Sequence, residues 1–79
     1  MKGLKAHYHK ENEVLELCLN EKHLADFIIT ERDEWFQTKV GKNEFMFNFV
    51  DGKLGMFNAD KVRDNTYEVG EFVDEIEVV

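Results

Sequence analysis

The chain has 79 residues, of which 43% are hydrophobic and 34% are charged, and its formal net charge at pH 7 is −7. This length allows one domain, residues 1–79, and the composition excludes disordered, collagen-like and coiled-coil chains. No apolar run approaches the roughly 20 residues that span a bilayer, and the first residues lack the apolar stretch of a signal peptide. One cysteine cannot form an internal disulfide. We therefore expect a cytoplasmic protein with a reduced thiol.

The negative charge is concentrated at the C-terminal end. Residues 1–63 contain ten basic and eleven acidic side chains, whereas residues 64–79 contain six acidic and no basic ones. Nucleic acids and anionic membranes both require a basic surface, so we expect neither as a partner. The acidic end predicts either a solvated surface or a surface that faces a basic protein. The acidic residues assigned to partner binding are Glu68, Glu71, Asp74, Glu75 and Glu77.

Hydrophobic residues alternate with polar residues from the start of the chain, and this period of two predicts β-strands. The first two strands, within residues 4–19, are predicted to form a hairpin in which Tyr8 lies opposite Leu15. In this register the apolar side chains of both strands share one face, as a half-buried sheet requires.

Residues 20–29 allow two interpretations. Asn20 could cap a short helix, which would make the fold α+β with a helix at 20–29. The β-branched run at residues 28–30 favours a strand instead, and this is the main prediction. A turn at residues 31–34 would then pair this strand with the next one and place Ile29 opposite Phe36.

Two further turns have clear sequence signals. Residues 41–43 contain a glycine and separate two alternating segments, so that Phe36 lies opposite Phe47 if the loop has two residues. Asp51 and Gly52 are typical of a type I′ hairpin turn, in which both central residues have positive φ.

Near the C-terminus, residues 58–65 are predicted to form one short helix, with Asn58 as its N-cap. The residues beyond it indicate a seventh strand, or a bent pair broken at Gly70. The predicted fold is therefore mainly β: an antiparallel meander of six to seven strands, in a small barrel or sandwich, with one short helix near 58–65. The predicted core consists of Leu15, Leu17, Phe27, Ile29, Phe36, Phe47, Phe49 and Met56.

Catalytic and cofactor motifs are missing from the sequence. There is no P-loop, no dinucleotide-binding glycine pattern and no C-x-x-C pair, and the chain has no serine at all. We therefore expect neither an enzyme nor a cofactor.

One group of polar residues on the first hairpin could bind a metal ion. The four candidates His7, His9, Glu16 and Cys18 project from the face opposite the core, and His23 in the nearby turn is a further candidate. Imidazole, carboxylate and thiolate are the ligands that zinc prefers. An exposed polar face is the competing interpretation, because an H-x-H pair alone is a weak metal signal.

The face of the sheet opposite the core contains more apolar side chains than is usual for a surface in contact with water. They form a predicted patch of five residues: Ile28, Trp35, Met46, Val50 and Phe57. Such a patch indicates a protein interface, unless the 58–65 helix or the C-terminal segment covers it. Trp and Met are enriched at interface centres, which favours a partner.

These observations favour a small, acidic, non-catalytic module that binds a protein, with a homodimer as a further option. It would act as an inhibitor or modulator of a host protein, of the kind that mobile elements encode. The first alternative is a β-barrel that binds a small ligand, and the second is a metal-binding protein that uses the face of His7 and His9. In the ligand-binding alternative, the cavity would be lined by Tyr8, Phe27, Phe36, Phe45, Phe47 and Phe49.

Overall fold

The computed structural model describes residues 3–29 and 34–79. These residues form seven strands: β1 (Leu4–His9), β2 (Val14–Leu19), β3 (Lys22–Ile28), β4 (Glu34–Val40), β5 (Asn43–Val50), β6 (Lys53–Arg63) and β7 (Thr66–Val78). The described residues contain no helix, and consequently none that could cross a membrane.

The seven strands form one sheet in the order β3-β2-β1-β7-β6-β5-β4. Strands β1 to β3 pair antiparallel with their neighbours in sequence, and so do strands β4 to β7. In contrast, β1 and β7 pair parallel through Lys5–Glu77 and Ala6–Val78. The sheet curves so that its two edge strands approach each other: Phe27 of β3 stacks on Phe36 of β4, with ring centroids 4.5 Å apart. The result is a nearly closed, barrel-like mixed sheet, so the mainly-β prediction is confirmed and the purely antiparallel meander is wrong.

The hairpin registers agree with the sequence pattern. Tyr8 lies opposite Leu15, and Phe36 lies opposite Phe47. The turn between β5 and β6 has φ of 51° at Asp51 and 77° at Gly52, as a type I′ turn requires. Alternation and turn chemistry together therefore determine which residues pair within these hairpins.

The predicted helix at residues 58–65 is wrong. Strand β6 continues through this segment to Arg63, and β7 runs back beside it, with Asp60 opposite Glu68. The helical signal came from an N-cap residue and charge placement, which are weak preferences that pairing with a neighbouring strand overrides. Gly70 likewise does not break the last strand, which is continuous from Thr66 to Val78.

The alternative helix at residues 20–29 is also wrong, because these residues form a turn followed by β3. Asn20 and Glu21 have φ of 52° and 68°, so they form the tight turn that Asn favours rather than a helix cap. The expected pairing of Ile29 with Phe36 is not formed, since β3 and β4 lie at opposite edges of the sheet order. Residues 31–33 of the predicted turn at 31–34 lie outside the described residues.

The core lies inside the curved sheet. All of the predicted core residues are buried except Phe27, which is half-buried at the β3 edge. The buried hydrophobic residues are Leu4, Ala6, Leu15, Leu17, Ile29, Phe36, Val40, Phe45, Phe47, Phe49, Leu54, Met56 and Ile76. Because the core occupies the inner face of the sheet, the side chains that could contact other molecules lie on the outer face.

Candidate functional site

Three aromatic rings form a row on the outer face. The ring of Trp35 on β4 lies 5.1 Å from that of Phe57 on β6, and Phe57 lies 5.5 Å from Phe72 on β7 in an edge-on arrangement. Trp35 is 47% exposed and Phe72 is 60% exposed. We call these three residues the aromatic row. The C-terminal strand lies beside β6 and adds a ring to the row instead of covering it.

A β-bulge on β7 places Phe72 in this row. Met56 pairs with Asp74, but the next residue, Phe57, pairs with Phe72, so Val73 is the extra residue on β7. A one-residue insertion reverses the side-chain alternation beyond it. Phe72 therefore lies on the outer face beside Phe57, although the sequence alternation had grouped it with the buried Ile76.

Gly55 makes room for the central ring of the row. A Cβ atom at this position would lie 3.0 Å from Cε1 of Phe57, so the ring leans over the glycine. Gly55 pairs with Asn48, which in turn pairs with Trp35. The absence of a side chain at Gly55 thus lets Phe57 reach across the sheet to Trp35.

The other predicted patch residues are placed differently. Met46 lies opposite Phe57, as the hairpin register predicted. Val50 lines a shallow surface cleft together with Phe57, Phe72 and Glu75. Ile28 is 67% exposed but lies on β3, at the other edge of the sheet, so it is not on a strand that pairs with the rest of the patch.

Four of the five acidic candidates are exposed along β7: Glu68, Glu71, Glu75 and Glu77. Glu75 lies opposite Gly55 and borders the cleft beside the aromatic row. Asp74 is only partly buried, lies opposite the buried Met56, and accepts a hydrogen bond from the Glu75 amide at 2.8 Å. The structure therefore brings Glu75 next to the aromatic row and places Asp74 toward the inner face.

A second group of side chains meets on the outer face of β1, β2 and β3. Glu16 is at its centre: Oε1 lies 3.1 Å from His9 Nε2, and Oε2 lies 3.1 Å from His23 Nδ1. The opposite ring nitrogen of His23, Nε2, lies 3.7 Å from Oδ2 of Asp26. We call these four residues the histidine–carboxylate cluster.

A second bulge, on β3, creates this cluster. Leu17 pairs with Ala25, whereas the next residue, Cys18, pairs with His23, so Leu24 is the extra residue. Without this insertion, His23 would point to the inner face with Ala25. The bulge turns its imidazole outward, toward Glu16.

Hydrogen bonds explain the titration of Glu16. The interactions with His23 and then His9 lower its pKa from 4.5 to about 2. The nearby Cys18 thiol contacts Glu16 Oε2 at 3.6 Å, and its pKa is raised by burial and then by the negative charge of Glu16. This environment favours a carboxylate at Glu16 and a protonated thiol at Cys18.

The structure separates the predicted metal candidates. His9 and Glu16 belong to the cluster, while Cys18 is outside it and its thiol contacts Glu16. His7 lies opposite Glu16 in the strand register and is exposed. The sequence had suggested the H-x-H pair as the centre, whereas the geometry makes His23 and Asp26 the residues that join Glu16.

The aromatic residues proposed to line a ligand cavity pack on one another. Tyr8 and Phe49 have ring centroids 5.3 Å apart, and Phe27 stacks on Phe36. Phe47, at the middle of β5, is 1% exposed. Among the described residues, these rings therefore pack against one another and against the core.

Comparison of the chain with protein-family models, with curated proteins and with solved structures finds no match.

Proposed function

We propose that the protein is a non-catalytic module that binds another protein through the aromatic row. The observation behind this proposal is that Trp35 and Phe72 each contact the ring of Phe57 and yet remain exposed to solvent. Exposed aromatic clusters of this kind are the usual centres of protein interfaces. The ring contacts with Phe57 restrict the side chains of Trp35 and Phe72 before binding, which lowers the entropy cost of association.

The partner we propose has an apolar surface bordered by Lys or Arg. Glu75 borders the aromatic row, and Glu71 and Glu77 are exposed on the same strand. Asp51 and Lys53 line the cleft as well, so the local charge is mixed, but the chain as a whole has a net charge of −7. Complementary charge would steer a basic partner toward this side. A second copy of the chain has the same negative charge and fits less well. By binding, the module would act as an inhibitor or modulator of that partner.

The test is affinity capture of the partner with wild type, Trp35→Glu and Val62→Glu. Val62 is an exposed apolar residue on β6 outside the aromatic row, which makes it a matched control. We expect wild type and Val62→Glu to retain one protein that Trp35→Glu does not retain. With the purified partner, Trp35→Ala should weaken binding by about 2 kcal/mol or more, mainly through faster dissociation.

Neutralising Glu75 and Glu77 in the same complex should slow association, and the difference should shrink above about 0.15 M salt. A partner bound equally by Trp35→Glu would contradict the proposal. So would a dimer of this chain in sedimentation that Trp35→Glu converts to monomer, because the occupant would then be a second copy.

A further inference from the structure

We infer that the outer face of β1, β2 and β3 binds a divalent transition-metal ion through Glu16, His23 and Asp26, with His9 holding Glu16 in position. This inference is independent of the proposed protein interface, which lies on β4 to β7. It also differs from the H-x-H site that the sequence suggested, because two of its three ligands are on β3.

The ligand atoms are already close together. One ligand atom from each of Glu16, His23 and Asp26 lies within 4.8 Å of the others. In a tetrahedral site with bonds of about 2.0–2.2 Å to nitrogen and oxygen, the ligand atoms lie about 3.3–3.6 Å apart. The widest pair must therefore close by up to about 1.5 Å. The side chains of His23 and Asp26 are exposed and can make this movement by rotation about their side-chain bonds.

The hydrogen bonds around the ligands suit a metal site. His9 contacts Oε1 of Glu16, so the other oxygen, Oε2, faces His23. A ligating carboxylate is normally oriented by a hydrogen bond of this kind from outside the coordination sphere. The bulge at Leu24 fixes His23 in the outward direction, so three strands together set the geometry.

The ligand types select the class of metal. Imidazole together with carboxylate suits Zn²⁺, Ni²⁺ or Co²⁺, whereas Ca²⁺ and Mg²⁺ prefer oxygen alone. The group of mutually close ligand atoms does not include Cys18, so the set contains nitrogen and oxygen only. Three protein ligands leave a coordination position for water or for a group from another molecule.

The experiment is a Zn²⁺ titration of the full chain by calorimetry at neutral pH, with NMR of the histidine rings. We expect one ion per chain, and a shift of the His23 ring signals much larger than that of His7. Glu16→Gln, His23→Ala and Asp26→Asn should each weaken binding tenfold or more, and His9→Ala should weaken it less than His23→Ala does.

Two control variants locate the site. His7→Ala and Glu75→Gln should keep the wild-type affinity within about twofold, because His7 is outside the ligand group and Glu75 is on the other half of the sheet. Far-UV circular dichroism of every variant confirms that it is folded. No saturable binding, unchanged affinity in His23→Ala, or loss in His7→Ala equal to that in His23→Ala would each overturn the inference.

Discussion

Glu16 shows how one side chain links folding stability to pH. Its folded-state pKa is about 2, below the ordinary value of 4.5, because His23 and His9 hydrogen-bond its carboxylate. A lowered pKa means that the unfolded chain binds the proton more readily than the folded one. The stabilisation is therefore present above pH 4.5 and is lost as the pH falls toward 2.

We expect the stability difference between wild type and Glu16→Gln to shrink as the pH falls from 4.5 toward 2. Urea unfolding at several pH values, with a chelator present, measures this difference. Glu11→Gln, in the exposed turn between β1 and β2, controls for the general loss of one negative charge. A difference that stays constant over this range would show that the imidazoles do not stabilise the carboxylate.

For single residues, the sequence identified His9 and Glu16 as metal candidates, named His23 as a further candidate in a nearby turn, and did not propose Asp26. Alternation correctly put His9 and Glu16 on the outer face. It could not predict that His23 faces outward from a strand, because His23 has the same alternation as Ala25 and Phe27 and would point inward if β3 were regular. A polar residue at an inner position was itself a signal that the strand contains an irregularity.

At the scale of secondary-structure elements, the tight turns between strands were the most predictable features. Positive φ at both central residues restricts the choice of residue, and Asp51-Gly52 satisfies this requirement. Where the local signal was only helix propensity, at residues 58–65, the prediction failed, because pairing with β7 depends on residues further along the chain.

The turn between β5 and β6 provides a prediction at the scale of one hairpin. A side chain at Gly52 would meet no atom within 4 Å, so substitution there tests backbone strain alone. Gly52→Val should destabilise the protein by more than about 1 kcal/mol, because β-branched residues tolerate positive φ poorly. Gly52→Asn should cost clearly less, since Asn adopts this conformation more readily. Urea unfolding of both variants decides the matter, and equal losses would contradict the strain argument.

Both candidate surfaces depend on bulges. The extra residue Val73 turns Phe72 toward Phe57, and the extra residue Leu24 turns His23 toward Glu16. Bulges commonly redirect side chains at functional positions. A strictly alternating pattern cannot reveal them, which is why the sequence predicted the strands better than it predicted what their outer faces present.

For the whole molecule, the sequence predicted the class of fold but not the path of the chain. Each antiparallel pair joins strands that are close in sequence, and short turns make such pairs predictable. The parallel pairing of β1 with β7 involves the two ends of the chain and leaves no local signal. This single pairing converts two separate meanders, β1 to β3 and β4 to β7, into one curved sheet.

That pairing also has a kinetic consequence. Lys5 and Glu77 are 72 positions apart, and closing a loop of this length costs about 2 kcal/mol more entropy than closing a hairpin of about ten residues. We therefore expect the two meanders to fold first and the pairing of β1 with β7 to form last and open first. In native-state hydrogen exchange, the amides of Tyr8 and Val79, which bond across this pairing, should exchange before that of Phe47 in β5. Equal protection would contradict this order.

Since the histidine–carboxylate cluster lies wholly in one meander and the aromatic row wholly in the other, such an opening would leave both intact while changing their relative position.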